Sequence, residues 1–248
     1  MMKNSGNTIL VTGGGSGIGR EYAQRWHDAG NIVIVAGRTV SDLEETAKGR
    51  ENIHVRQLDV SDAGQVASFA AKLIEDFPAL NVLMNNAGIM PYEDITQARD
   101  LSDAKKVISI NLMGPICLTD ALIDHLRHAD DAVLINVSSG LAFVPMPKAA
   151  TYSATKAAIH SYTVSLRKLL EGQVEVIELA PPGVQTELTP GQSHREGYMP
   201  LGDFISESMA QFAQDPTPEE VLVDNVKPLR HAEKDGSFDE KLDMIASR

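Results

Sequence analysis

Six short runs along the chain are almost continuously apolar: TILVT (8–12), IVIVA (32–36), IHVRQL (53–58), LNVLM (80–84), AVLINVS (132–138) and VEVIELA (174–180). Strands buried on both faces need this pattern, whereas strands with one wet face alternate. Longer stretches with helical spacing separate them, such as 17–29 and 151–171, each long enough for a crossover. Gly30 and Asn31 punctuate the first helix before the second strand begins. Alternation of this kind predicts an α/β chain with a doubly wound parallel sheet and helices on both faces. Ligands of such sheets sit beyond the carboxyl ends of the strands.

The pattern changes after about residue 186. The segment 188–216 is rich in Gly, Pro and Ser and reads as a substrate lid or loop with a short helix. The tail, 217–248, opens with TPEE, a helix-start pattern, and continues polar and helical without an evident strand. The whole of 1–248 reads as a single domain, which suits a mass of 26.8 kDa.

Charge and cysteine use narrow the partners. A formal charge of −12 argues against nucleic acid and against an anionic membrane. No apolar run approaches the ~20 residues needed to cross a bilayer, and the start lacks a signal-peptide core. The lone Cys117 cannot form an intramolecular disulfide, which points to a reducing, cytoplasmic setting. The seven histidines and Cys117 show no metal-ligand spacing, so no metal is expected.

The first strand leads into TGGGSGIGRE, residues 12–21, with the spacing T-G-x-x-x-G-x-G through Thr12, Gly13, Gly17 and Gly19. Glycines let the backbone approach a ligand, and the helix that follows offers free N–H groups to a pyrophosphate. Gly13, Gly15, Ser16, Gly17, Ile18 and Gly19 are therefore candidate contacts. Such a loop also serves other nucleotide-derived ligands, so it implies a dinucleotide-like ligand and not a reaction. The second strand ends in VAGRTVSD, where Gly37 and Arg38 stand in place of an acidic residue and no carboxylate follows until Asp42. A guanidinium can hold a 2′-phosphate that a carboxylate would repel, which favours NADP. NAD is the alternative, with Arg38 a solvated surface residue.

TYSATKAAIHSY, residues 151–162, places Tyr152 and Lys156 one turn apart on one helix face. That face continues through Ile159, Thr163, Leu166 and Leu170. Burying a lysine there is costly unless its charge faces a cleft. An ammonium at ~4 Å with an effective ε of ~20 favours a phenolate by roughly 4 kcal/mol, with desolvation opposing. The expected result is a phenol moved toward the range of a useful general acid–base. His160 lies about 80° away on the wheel and reads as an ordinary helix residue.

With NNAG (85–88), Asn111 in SINLMG, INVSSG (135–140), YSATK (152–156) and APPGVQTEL (180–188), the chain resembles the short-chain dehydrogenase/reductase family over residues 8–188. The phrase INVSSGLAFVP…ATYSATKAAIHSYT is further similar to the branch encoded with teichoic-acid D-alanylation genes. The resemblance implies a Rossmann-type, NAD(P)-dependent oxidoreductase acting on a carbonyl or alcohol. It implies that Tyr152 transfers the proton, Lys156 holds the nicotinamide ribose, Ser139 orients the substrate oxygen and Asn111 holds a relay water, with Ser138 structural. It places Asn86, Ala87 and Gly88 along the adenosine side, and Asp59 at the adenine amino group with Val60 beside it. Pro182 and Gly183 would turn past the nicotinamide, with Val184 and Thr186 at its carboxamide.

The family's seventh strand has no counterpart that the sequence reveals, so six strands in the order 3-2-1-4-5-6 are expected. Without that strand the family's usual tetramer is doubtful, and a homodimer through the helices at 99–127 and 151–171 is expected instead. The cleft for a small-molecule substrate is expected between 89–97, 140–150 and 188–210, with Met90, Tyr92, Leu141, Phe143 and Met146 as an apolar wall. His194 and Arg195 read equally as contacts to a carboxylate or sulfonate and as surface charge. A non-catalytic dinucleotide sensor is the reading from another class; the complete set Asn111, Ser139, Tyr152 and Lys156 disfavours it.

Overall fold

The computed structural model describes residues 2–247. The six apolar runs form β1 (Thr8–Thr12), β2 (Ile32–Gly37), β3 (Ile53–Gln57), β4 (Leu80–Asn85), β5 (Val133–Val137) and β6 (Glu175–Leu179). A further strand, β7 (Glu220–Val221), pairs parallel with β6, so the sheet order is β3-β2-β1-β4-β5-β6-β7. Helices α1 (Gly17–Asp28), α2 (Val40–Ala47) and α3 (Ala63–Asp76) connect the first four strands. Between β4 and β5 lie α4 (Ser102–Ile108), a π-helical turn (Ser109–Met113) and α5 (Gly114–Leu126). Helix α6 (Ala150–Leu169) crosses to β6, α7 (Leu201–Phe212) to β7, and α8 (Lys227–Arg230) and α9 (Phe238–Ala246) follow.

Period two splits each strand between two cores. Ile9, Val11, Val33, Val35, Met84 and Ile135 meet Tyr22 and Trp26 of α1 and Phe204 and Phe212 of α7. Leu10, Ile34, Leu83 and Leu134 meet Val66, Ala70 and Leu73 of α3 and Leu118, Leu122 and Leu126 of α5. Both strand faces are dry, which is why the runs read as continuously apolar.

Three expectations need correction. The seventh strand exists. It is two residues long, too short for periodicity to reveal, and its partners are tertiary. The backbone N–H of Glu178 donates to the Glu219 carbonyl at 2.9 Å. Leu222, one residue on, is held at both its N–H and its carbonyl by the Gln211 side chain, at 3.0 and 2.9 Å. The helix within segment 188–216 is longer than expected and belongs to the core, because α7 runs for 12 residues and buries Phe204, Ile205 and Phe212. Finally, α4, the π turn and α5 form one helix of 25 residues, Ser102–Leu126, long and apolar enough to cross a membrane by length and composition, with a mean hydropathy of 1.4 over an 18-residue stretch of it. Charges at Asp103, Lys105 and Lys106 hide this in the sequence. Its apolar face packs on α3, and its π turn on α6.

Phe204 is fully buried and meets Tyr22 edge-on at 6.5 Å, so α7 belongs to the core. Phe204→Ala is expected to cost about 3–5 kcal/mol in chemical denaturation. A loss below about 1 kcal/mol would show that the segment lies outside the cooperative core.

Candidate active site

The loop after β1 is shaped by contacts that exclude side chains. Gly13 has φ +66°, and a Cβ there would lie 2.9 Å from Ala87 Cα. A Cβ on Gly19 would lie 2.4 Å from the Gly13 carbonyl oxygen. The Thr12 hydroxyl accepts from the N–H groups of Asn86 and Ala87 at 3.0 and 3.1 Å, and Asn86 Nδ2 donates to the Thr12 carbonyl at 2.8 Å. Thus NNAG is clamped to the glycine loop. Two residues that sequence reasoning missed brace the other side. Thr46 Oγ1 donates to the Gly14 carbonyl at 2.9 Å, and Arg20 donates to the Gly15 carbonyl and to Thr46. Arg20 follows the last glycine of the loop motif and Thr46 lies outside any motif, so nothing in the sequence marks them as partners.

A cavity of about 390 Å³ runs from this loop across the carboxyl ends of the strands. It brings together Gly13, Gly15, Ser16, Gly17, Ile18, Gly19, Arg38, Asp59, Val60, Asn86, Ala87, Gly88, Ser139, Tyr152, Lys156, Pro182, Val184 and Thr186. Ile89 and Gln192, from stretches expected at the cleft, line it too, and so do Thr39, Asp42, Leu43, Pro181 and Glu187, which were not expected there. Arg38 is exposed at the end of β2. Asp59 Oδ1 accepts from the Ser61 hydroxyl and N–H at 2.7 and 2.9 Å. These bonds, with the nearby Arg38 charge a lesser influence, hold its carboxyl below the usual range.

Some expected residues stand elsewhere. Gly183 lies under the Tyr198 ring, where a Cβ would be 3.1 Å from ring carbons. Asn111 sits in the π turn, with its side chain bound to the backbone of Ile89: Oδ1 accepts from the N–H and Nδ2 donates to the carbonyl, both at 2.9 Å. Met90, Leu141 and Met146 pack with Tyr152 in a third apolar cluster. Phe143 turns to a different face, edge-on to His160 at 5.0 Å and under the Arg230 guanidinium at 4.7 Å. Arg195 donates to the phenol oxygens of Tyr92 and Tyr198 at 3.1 and 3.2 Å.

At the inner end, Tyr152 and Lys156 are buried, 6% and 5% exposed. Burial pushes the Tyr152 phenol up to about 12, with its hydrogen bond to Ser139 opposing. Burial likewise lowers Lys156 to about 8, with the Glu178 charge opposing. The Lys156 ammonium lies 5.6 Å from the Tyr152 ring centroid and donates to the Val137 carbonyl at 2.7 Å. The expected fall of the phenol is therefore not a property of the protein's own groups. Desolvation outweighs the lysine, whose charge is directed at a strand-end carbonyl.

A serine, a tyrosine and a lysine thus meet at the end of a cavity that begins at a glycine loop. A model of the short chain dehydrogenase family matches residues 7–197. The chain belongs to the short-chain dehydrogenase family. Among relatives, it is 38% identical over 236 residues to the "uncharacterized oxidoreductase DltE" of Bacillus subtilis, covering 93% of each chain. It is 35% identical over 186 residues to a sulfoacetaldehyde reductase of Chromohalobacter salexigens, covering 73% of this chain and 74% of the other. Among solved structures, the alcohol dehydrogenase of the archaeon Thermococcus sibiricus complexed with 5-hydroxy-NADP superposes with a TM-score of 0.78. It is 23% identical over 88% of this chain and 95% of the other, a likeness of fold.

Behind the site of this short-chain dehydrogenase lies a polar spine. Asn85 Nδ2 donates to Asn136 Oδ1 at 2.9 Å, and Asn136 Nδ2 donates to Thr163 Oγ1 at 3.0 Å, tying β4 and β5 to α6. His160 is not the ordinary helix residue expected: its Nδ1 pairs with the buried Glu178 at 2.7 Å. The motif Y-x-x-x-K draws attention away from it.

Gly19→Ala is expected to cost about 1–3 kcal/mol in denaturation, because the new methyl meets the Gly13 carbonyl and the Asn86 amide, which is itself tied to the Thr12 carbonyl. Unchanged stability would show that the loop yields freely.

Proposed function

We propose that this short-chain dehydrogenase is an NADP-dependent oxidoreductase. It moves a hydride between the nicotinamide and a carbonyl or secondary alcohol of a small organic substrate. The observation that carries the reading is the burial of a phenol and an ammonium side by side at the inner end of the long cavity. Glycines at positions where a Cβ would strike backbone leave room for a dinucleotide at the outer end, so the residues fit the group. Gly13 to Gly19 would hold its phosphates, Asn86 to Gly88 its adenosine side, and Pro182, Val184 and Thr186 its nicotinamide end. Arg38, cationic at the end of β2 with no acidic residue in its place, favours the 2′-phosphate. Bound NADPH would supply the hydride.

The protein's own groups manage the proton. The Tyr152 hydroxyl shares the cavity with Ser139, and in reduction it would give its proton to the substrate oxygen as negative charge grows there. A phenol kept protonated by burial is the correct form for a proton donor. Lys156, fixed at the end of β5, would hold ribose hydroxyls and offset the phenolate left behind. In the oxidation direction the same groups act in reverse. Met90, Leu141 and Met146 form an apolar wall beside Tyr152, suited to an organic substrate. Apolar residues exposed on the long helix and on α6, namely Ile108, Met113, Val164 and Leu169, favour a homodimer through those faces.

The test is binding of NADPH and NADH, followed by turnover on a panel of ketones and aldehydes, for the parent and for Tyr152→Phe. Tighter binding of NADPH is expected, with kcat about 10²–10⁴-fold lower in the variant and NADPH binding unchanged. Full activity in the variant would remove Tyr152 from the mechanism. Preference for NADH would remove the role of Arg38, and binding without turnover of any substrate would favour a cofactor sensor.

A further inference from the structure

Glu178, on β6, is fully buried, and no step of the mechanism above uses it. Its two oxygens are both engaged. Oε1 accepts from the Ser138 hydroxyl at 2.5 Å, and Oε2 pairs with His160 Nδ1 at 2.7 Å. Both partners adjoin the reacting groups. Ser138 stands between Val137, whose carbonyl anchors Lys156, and Ser139, which lines the cavity with Tyr152. His160 lies one turn beyond Lys156 on α6. Glu220 completes a cluster whose ligand-type atoms lie within 4.8 Å of one another, but Arg230 takes both Glu220 oxygens at 2.8 Å. With every carboxylate oxygen already committed to a donor, the cluster is built as an ion-pair network and not as a metal cage.

We propose that Glu178 is a positioning residue of the active site: clamped between Ser138 and His160, its carboxylate locks the end of β5 onto α6 and supplies the negative charge that keeps Lys156 an ammonium. The proposal rests on the reading that Lys156 holds the cofactor. A buried lysine beside an apolar cluster loses its proton readily unless a carboxylate compensates. Burial lowers Lys156 to about 8, and the Glu178 charge is the influence that opposes it. The groups that face Glu178 from neighbouring elements are Lys156 and His160 on α6, Glu220 on β7 and Arg230 on α8. His160 is raised above its ordinary value, chiefly by its hydrogen bond to Glu178, with burial and the Arg230 charge opposing. The part-exposed imidazole thus compensates the carboxylate on one side while Lys156 draws on it from the other.

The experiment measures the NADPH dissociation constant from pH 6 to 10 for the parent, Glu178→Gln and His160→Gln, and follows the His160 ring by NMR titration. The isosteric Gln keeps the shape of Glu178 and loses its charge. Its alkaline loss of NADPH affinity is expected about one pH unit below that of the parent. His160→Gln retains the carboxylate and is expected to lose affinity at or above the parent's pH. In the parent, His160 is expected to titrate above 6.5, its ordinary value, and in Glu178→Gln to return toward it. Weaker binding in Glu178→Gln with an unmoved alkaline limb, or an equal fall in His160→Gln, would overturn the proposal while leaving the proposed function standing. A parent chain that binds no NADPH would overturn the proposed function. In that case, or if Glu178→Gln does not fold, the parent's His160 titration decides the clamp: a value at or below 6.5 refutes it.

Discussion

An ammonium buried against the carbonyl at the end of a strand is the constraint around which this molecule is organised. Lys156 is 5% exposed, and its Nζ reaches the Val137 carbonyl at 2.7 Å. Desolvating that charge is costly, so the surroundings must compensate. The polar spine from Asn85 through Asn136 to Thr163 fixes α6 on the sheet, and the buried Glu178 is held between Ser138 and His160, where its charge opposes the loss of the lysine's proton. Tyr152 is then carried to the inner end of the cavity by the same helix, one turn earlier. The chemistry follows from where the helix is held.

The parallel sheet accounts for the rest of the geometry. Strands dry on both faces leave only their carboxyl ends open to a ligand. There the glycine loop, the NNAG turn and the Val137–Ser139 segment converge: the Thr12 hydroxyl and the Asn86 amide join the first two, and the Asn85 and Asn136 side chains join the strands that carry the second and third. A phenol raised to about 12 remains protonated throughout the physiological range, which suits carbonyl reduction. Removing that proton from the phenol for alcohol oxidation needs a positive influence beyond the Lys156 ammonium, whose charge burial outweighs, and a bound oxidised cofactor would bring one.

Sequence periodicity was informative wherever apolar residues were numerous. The six runs became strands within a residue of their expected bounds, and Tyr152, Lys156, Ile159 and Thr163 are all buried on one face of α6. It failed where a feature is short or is made by distant partners. Strand β7 has two residues and depends on Gln211 and Arg230, so TPEE reads as a helix start. The role of Glu178 is invisible in VEVIELA, because a glutamate in an apolar strand signals nothing about which residues approach it. Helical spacing set His160 apart from the Tyr152 face, which hid its pairing with β6. Asn111 was found by its motif, but its amide is bound to Ile89, a contact that no pattern in the chain predicts.

The central claim is that the fold alone holds Tyr152 as a proton donor and that a positive charge beside it converts it to a base. Its most direct test is an NMR titration of tyrosine labelled at Cζ, with Tyr152 assigned by comparison with its Phe variant. Without cofactor, the Tyr152 signal is expected to stay in its protonated position up to about pH 11, as a phenol displaced upward by burial must. With NADP⁺ added, it is expected to titrate below 10, the ordinary phenol value. An identical titration in both states, or a phenol already ionising below 10 without cofactor, would contradict the account.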